Sequence, residues 1–134
     1  MNVADLMTDS VFSLGPEASL RELQELMWEH DIRHVPIVDD RGELVGLVSQ
    51  RDLARATDGT ATLPLSARND FLQSTKIVTV MTEEVATAEP TDDIRVAAQT
   101  MFENKYGCLP VVAGRRLVGI LTESDFVRLL AEGD

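Results

Sequence analysis

Met7-Thr8-Asp9-Ser10-Val11 is written again as Met81-Thr82-Glu83-Glu84-Val85, 74 positions further along the chain. The same offset places Pro16 on Pro90, Arg21 on Arg95, Met27 on Met101, Glu29 on Glu103, Pro36 on Pro110 and Val38 on Val112. With one residue fewer in the second copy's turn, Leu44-Val45-Gly46 falls on Leu117-Val118-Gly119 and Asp52 on Asp125. Self-similarity at a fixed spacing marks a repeated structural unit, so the fold is read one copy at a time.

In the first copy a short strand is expected over residues 11–14. Pro16 follows, and then Ser19-Leu20-Arg21-Glu22, where a serine with a glutamate three residues on satisfies the free N–H groups of a helix start. Leu20, Leu23, Leu26 and Met27 recur at helical spacing and form one apolar stripe, leaving Arg21, Glu22, Glu25 and Glu29 for solvent. Val35-Pro36-Ile37-Val38, the turn Asp39-Asp40-Arg41-Gly42 and the run 44–48 read as a hairpin. Ser49-Gln50-Arg51-Asp52-Leu53 then opens a second helix. The second copy repeats the order: a strand near Val85, a helix over about 93–104, a hairpin of 109–112 with 117–121, and a helix opened by Thr122-Glu123-Ser124-Asp125.

The expectation is an α+β fold of two βαββα units: a first repeat over 1–56, a linker over 57–76 and a second repeat over 77–134. The linker carries Asp58-Gly59, Pro64 and many Ser, Thr and Asn residues, and its end, 71–76, is a candidate helix. A unit of roughly 50 residues cannot cover its own sheet, so the two copies are expected to pack through their sheets with pseudo-two-fold symmetry. Equivalent loops would then face each other at two related clefts, where ligand sites tend to lie.

Composition narrows the function classes. The 134 residues are 44% hydrophobic and 26% charged, as in soluble globular proteins, and no apolar run approaches the roughly 20 residues of a membrane span. A net charge of −11 without a basic stripe argues against nucleic acid as a partner. A small anion is still admissible, because local cations and a helix N-terminus outweigh a distant field that salt screens within about 10 Å. The N-terminus shows no secretory signal pattern, and the single cysteine, Cys108, can form no internal disulfide, which suggests the cytoplasm.

Four features together resemble the cystathionine-β-synthase (CBS) domain family in its tandem form, the Bateman module. They are Val3-Ala4-Asp5-Leu6-Met7-Thr8 with Val78-Thr79-Val80-Met81-Thr82; Ile32-Arg33-His34-Val35-Pro36-Ile37-Val38; Gly46-Leu47-Val48-Ser49-Gln50-Arg51-Asp52-Leu53; and their second-copy partners. The resemblance covers nearly the whole chain. It implies a homodimeric disc and regulatory binding of AMP, ADP, ATP or S-adenosylmethionine, with no cofactor required, although some members bind nothing known. It further implies that Ser49, Asp52, Thr122 and Asp125 contact phosphate and ribose, while Ser13, Thr87, His34, Val35, Cys108 and Leu109 line the base beside Pro36, Gly107 and Pro110.

These residue types suit that ligand. A carboxylate can accept both hydroxyl protons of a ribose diol in charge-assisted bonds. A helix N-cap beside it offers free N–H groups and the positive dipole end to a phosphate. The same Ser/Thr-x-x-Asp pattern also caps a helix with no ligand at all, stabilising it by about 1 kcal/mol. Arg33 and Arg51 are the first candidates for phosphate contact, ahead of Lys76, Lys105, Arg115 and Arg116. Arg33-His34 is replaced by Gly107-Cys108 in the second copy, so the two sites should differ in charge and bulk.

The remaining chemistry-bearing residues have blander readings. Met7, Met27, Met81 and Met101 suit core filling. Trp28 and Phe102 fall at equivalent positions and suit packing or dimerisation. Cys108 has no Cys or His partner at metal-ligand spacing, and neither a nucleophile elbow nor a phosphate-cradling glycine loop occurs, so no enzyme activity is expected. The module would act on a separate effector enzyme or transporter; the alternative is a ligand-free scaffold for dimerisation or docking.

Overall fold

The computed structural model describes residues 1–133. Its elements run α1 (Val3–Leu6), α2 (Leu20–His30), β1 (His34–Val38), β2 (Leu44–Ser49), α3 (Gln50–Thr57), α4 (Leu65–Ser74), α5 (Ile94–Asn104), β3 (Cys108–Ala113), β4 (Arg116–Thr122) and α6 (Glu123–Glu132). The fold is α+β. The helices sort into two compact units: a central unit, Phe12–Val85, and a terminal unit formed by Met1–Val11 with the chain from Ala86 onward.

In the central unit, α2 starts where Ser19 and Glu22 cap each other: the Glu22 amide donates to Ser19 Oγ and the Ser19 amide to Glu22 Oε2, both at 3.1 Å. Leu20, Leu23 and Met27 of its apolar stripe are buried with Val35, Ile37 and Val48 of the β1–β2 hairpin, Leu53 of α3 and Ile77. The terminal unit repeats this arrangement. Ala97 and Met101 of α5, Leu109 and Val111 of β3 and Leu121 of β4 pack with Val3 and Leu6 of α1 and with Ala88.

The strands expected at 11–14 and near Val85 are each reduced to a single parallel bridge, Leu14 with Ile37 and Ala88 with Val111. The Leu14 amide donates to the Pro36 carbonyl at 3.3 Å and the Val38 amide to the Leu14 carbonyl at 2.9 Å; Ala88 does the same between Pro110 and Val112. The next ladder bonds would need amide protons at Pro16 and Pro36 in one unit, and at Pro90 and Pro110 in the other. Proline has none, so the ladder stops after one residue on either side.

The opposite edge of each hairpin is covered by a segment from the start of a sequence copy. Leu47 of β2 exchanges both backbone bonds with Thr82, at 3.0 and 2.9 Å, and Ile120 of β4 does so with Thr8, both at 2.9 Å. The segment that closes the central unit therefore opens the second sequence copy, and the segment that closes the terminal unit opens the first. The sequence division at residues 56 and 76 and the packing division are thus not the same cut. The expected linker also belongs to a unit: α4 spans Leu65–Ser74, packs against α2, and is followed by the Ile77 amide donating to the Ala18 carbonyl at 2.8 Å.

Trp28 and Phe102, read as packing or dimer residues, are 89% and 85% exposed. Met27 and Met101 are buried in the two cores, and Met7 and Met81 lie against Gly119 and Gly46.

Candidate functional site

Strand register brings most of the candidate residues to one end of each hairpin. In the central unit His34 is directly opposite Ser49, and Val35 opposite Val48. The Gln50 amide, first in α3, donates to the Arg33 carbonyl at 2.7 Å, which ties the strand's entry to the helix's start. In the terminal unit Cys108 is opposite Thr122, and the Glu123 amide donates to the Gly107 carbonyl at 3.3 Å. Val35, Pro36, Leu109 and Pro110 are buried beneath these junctions, whereas His34 is half-buried. Arg33 and Arg51 are exposed beside the central junction, Ser13 is half-buried just before the Leu14 bridge, and Thr87 is exposed just before the Ala88 bridge.

The two carboxylates at the junctions have different surroundings. Asp52 Oδ2 accepts from the Ser49 amide at 2.8 Å, and the Asp52 amide donates back to Ser49 Oγ at 3.1 Å. Its Oδ1 lies 3.7 Å from Arg55 Nη1, and the side chain is 21% exposed. Asp125 Oδ2 accepts from the Thr122 amide at 2.8 Å and from Thr122 Oγ1 at 3.3 Å. Its Oδ1 accepts from Thr8 Oγ1 at 3.2 Å and Arg128 Nη2 at 3.1 Å, and its side chain is only 7% exposed.

The other four candidate cations are Lys76, Lys105, Arg115 and Arg116. Lys76 Nζ is ion-paired with Glu17 Oε2 at 2.6 Å. Arg115 and Arg116 sit at the β3–β4 turn, where Arg116 pairs with Ala113, five residues along the ladder from Cys108. That is about 17 Å at 3.4 Å per residue, too far for a ligand held at Thr122 to reach without spanning the hairpin. Lys105 is exposed at the C-terminal end of α5. Burial pushes the Cys108 thiol up to about 12, so it stays protonated and is neither a nucleophile nor a ready metal ligand. Among the described residues no group of three or more His, Cys, Asp or Glu side chains is placed to hold a metal ion. Among them, too, no helix is long and apolar enough to cross a membrane.

Arg55, Arg128 and Thr8 were not among the sequence candidates. A repeated signal existed for the arginines: Asp52-x-x-Arg55 and Asp125-x-x-Arg128 place both partners on one helix face. Thr8 had no local signal, since 117 residues separate it from Asp125.

The CBS domain family model matches residues 3–59 and 77–132, most of the chain. The chain belongs to the CBS domain family. The CBS pair of this chain is similar in structure to a Vibrio cholerae protein named for acetoin utilization (AcuB), with 40% identity, a TM-score of 0.81 and coverage of 98% of this chain and 92% of that one. It is also similar to the CBS domain pair of protein MJ0100 in complex with 5-methylthioadenosine and S-adenosyl-L-methionine, at 30% identity, TM-score 0.82 and coverage of 100% and 98%. A third solved relative is CBSX2 in complex with AMP, with 26% identity, TM-score 0.84 and coverage of 99% and 98%; CBSX2 comes from Arabidopsis thaliana. Among curated relatives, a homoserine O-acetyltransferase of Methanococcoides burtonii is 33% identical over 130 residues, which are 96% of this chain and 24% of that protein. The chain spans about a quarter of the length of the first curated relatives it matches.

Proposed function

We propose that this CBS pair is a regulatory module that takes an adenosyl ligand, AMP, ADP, ATP or S-adenosylmethionine, at a hairpin–helix junction, and signals its occupancy to a separate effector enzyme or transporter. In this reading the chain carries out no reaction and needs no cofactor. The observation that carries the reading is the Ser49–Asp52 junction. One carboxylate oxygen is fixed by the Ser49 amide, while the other lies 3.7 Å from an exposed arginine. A ribose diol fits such a carboxylate, the start of α3 and Arg51 suit a phosphate, and His34, Val35 and Ser13 suit the base. The AMP, S-adenosylmethionine and methylthioadenosine held by solved relatives support the ligand class.

A homodimer acting in the cytoplasm completes the reading. The exposed Trp28 and Phe102, at equivalent positions of α2 and α5, are apolar surface of the kind a second copy covers. The acetyl transfer named for longer relatives is not assigned to this chain.

The test is a thermal-shift series with AMP, ADP, ATP and S-adenosylmethionine against a guanylate control. A ligand at 100 times its Kd stabilises the folded chain by about 2.7 kcal/mol, so a rise in Tm with an adenylate and none with guanylate is expected. Asp52→Asn retains the amide acceptor for Ser49 but removes the charge, and should weaken affinity about tenfold, or about 1.4 kcal/mol. If no adenosyl ligand shifts the wild-type Tm, the ligand-free scaffold reading replaces this one.

A further inference from the structure

The two sequence copies supply the same acidic residue at the same helix start, yet their carboxylates are committed differently. A carboxylate has about four lone-pair sites. At Asp125 four donors fill them: the Thr122 amide, Thr122 Oγ1, Thr8 Oγ1 and Arg128 Nη2. At Asp52 the Ser49 amide is the one hydrogen-bond donor among the described residues, and Arg55, the counterpart of Arg128, makes a looser ion pair at 3.7 Å. Thr82, the counterpart of Thr8, shares its backbone bridge to the hairpin, but its hydroxyl makes no bond to Asp52 among the described residues.

Two of the Asp125 donors tie it to the N-terminal segment. Thr8 lies in that segment, and Arg128 Nη2 also donates to the Leu6 carbonyl at 3.2 Å, at the last residue of α1. A helix of four residues has no stability of its own, so α1 is held by its contacts: buried Val3 and Leu6, the Val3 and Ala4 amides donating to the Asp92 and Pro90 carbonyls at 2.8 and 2.9 Å, the Asn2 and Thr8 bridges, and this polar cluster.

We infer that Thr8, Asp125 and Arg128 form a specificity-determining latch. It consumes the terminal unit's carboxylate to hold the N-terminal segment in place, so that Asp52 alone presents a carboxylate to a ribose. The selectivity rests on the nucleotide reading above; the latch does not. A diol approaching Asp125 must displace Thr8 or Arg128, and that displacement releases the grip on α1. Thr8 and Arg128 act here through Asp125 and are positioning residues.

The experiment has two arms on the full chain. In the first, without ligand, amide hydrogen exchange is followed for residues 3–8 in wild type, Thr8→Val, Arg128→Ala and Thr82→Val. Removing one donor to a buried carboxylate should speed exchange in that segment about tenfold in Thr8→Val and Arg128→Ala, while Thr82→Val matches wild type. Unchanged exchange in both latch variants overturns the latch. In the second arm, AMP is titrated by calorimetry. Wild type should bind one equivalent, Asp52→Asn should weaken that event about tenfold, and Thr8→Val should reveal a second, weaker equivalent. Two equal sites in wild type, or loss of the first event in Asp125→Asn rather than Asp52→Asn, overturns the selectivity. If neither AMP nor ADP, ATP or S-adenosylmethionine gives heat in any variant, the nucleotide reading falls and the selectivity with it, while the exchange arm still decides the latch.

Discussion

Gly46 packs against the backbone of Thr82 so closely that a Cβ at position 46 would lie 3.1 Å from the Thr82 carbonyl oxygen. The same holds for Gly119 and Thr8, again at 3.1 Å, and a methionine sulfur, that of Met81 or Met7, fills the space beside each glycine. A Cβ at either position would have to displace that methionine side chain and press the carbonyl of the covering segment back by a few tenths of an ångström.

Gly46→Ala and Gly119→Ala should each therefore destabilise the fold by about 1–3 kcal/mol, the usual cost of overpacking a tight contact. Chemical denaturation followed by circular dichroism reads this directly. Wild-type stability in both variants would show that the edge segments yield without cost.

Ser49→Ala removes the oxygen that accepts the Asp52 amide and should cost about 1 kcal/mol of stability with or without nucleotide. If the start of α3 also receives a phosphate, AMP affinity falls in the same variant while adenosine affinity holds. A purely capping role would lower stability and leave the two affinities in their wild-type ratio.

The buried Cys108 thiol holds its proton to about pH 12, whereas an exposed one loses it near 9.0. Between those values the folded chain binds more protons than the unfolded one, so stability falls as pH rises above about 9 and this contribution is complete below it. Relative to Cys108→Ala, the wild type should lose up to about 1.4 kcal/mol per pH unit above that point. Urea midpoints at pH 8, 9 and 10 for the two proteins measure the slope. At pH 8, alkylation of the native thiol should be slow and keep pace with unfolding.

Trp28 is the chain's single tryptophan, so its fluorescence reports one place on α2. In a monomer the emission should be that of a water-exposed indole, readily quenched by iodide, and Trp28→Ala should change stability by no more than about 0.5 kcal/mol. If a second copy covers α2, raising the protein concentration should shift the emission to the blue and protect it from iodide, in step with the mass from sedimentation.

The repeat, the helices α2, α3, α5 and α6, the two hairpins and the meeting of hairpin end with helix start at Ser49 and Thr122 were all legible in the residue order. They depend on neighbours a few positions apart: apolar residues at helical spacing, Ser19 with Glu22, Ser49 with Asp52, and a turn between two apolar runs. Even the shortness of the opening strands was written in Pro16, Pro36, Pro90 and Pro110, once the ladder is traced bond by bond. Only the tertiary structure decided which opening segment covers which hairpin, and that Asp125 is enclosed by Thr8 and Arg128 while Asp52 Oδ1 is ion-paired with Arg55 at 3.7 Å and accepts no hydrogen bond among the described residues. Those outcomes hinge on contacts such as Thr8 with Asp125, 117 residues apart. Pairings of that span leave no periodicity or cap in the sequence, because each partner's local environment is equally compatible with their being apart.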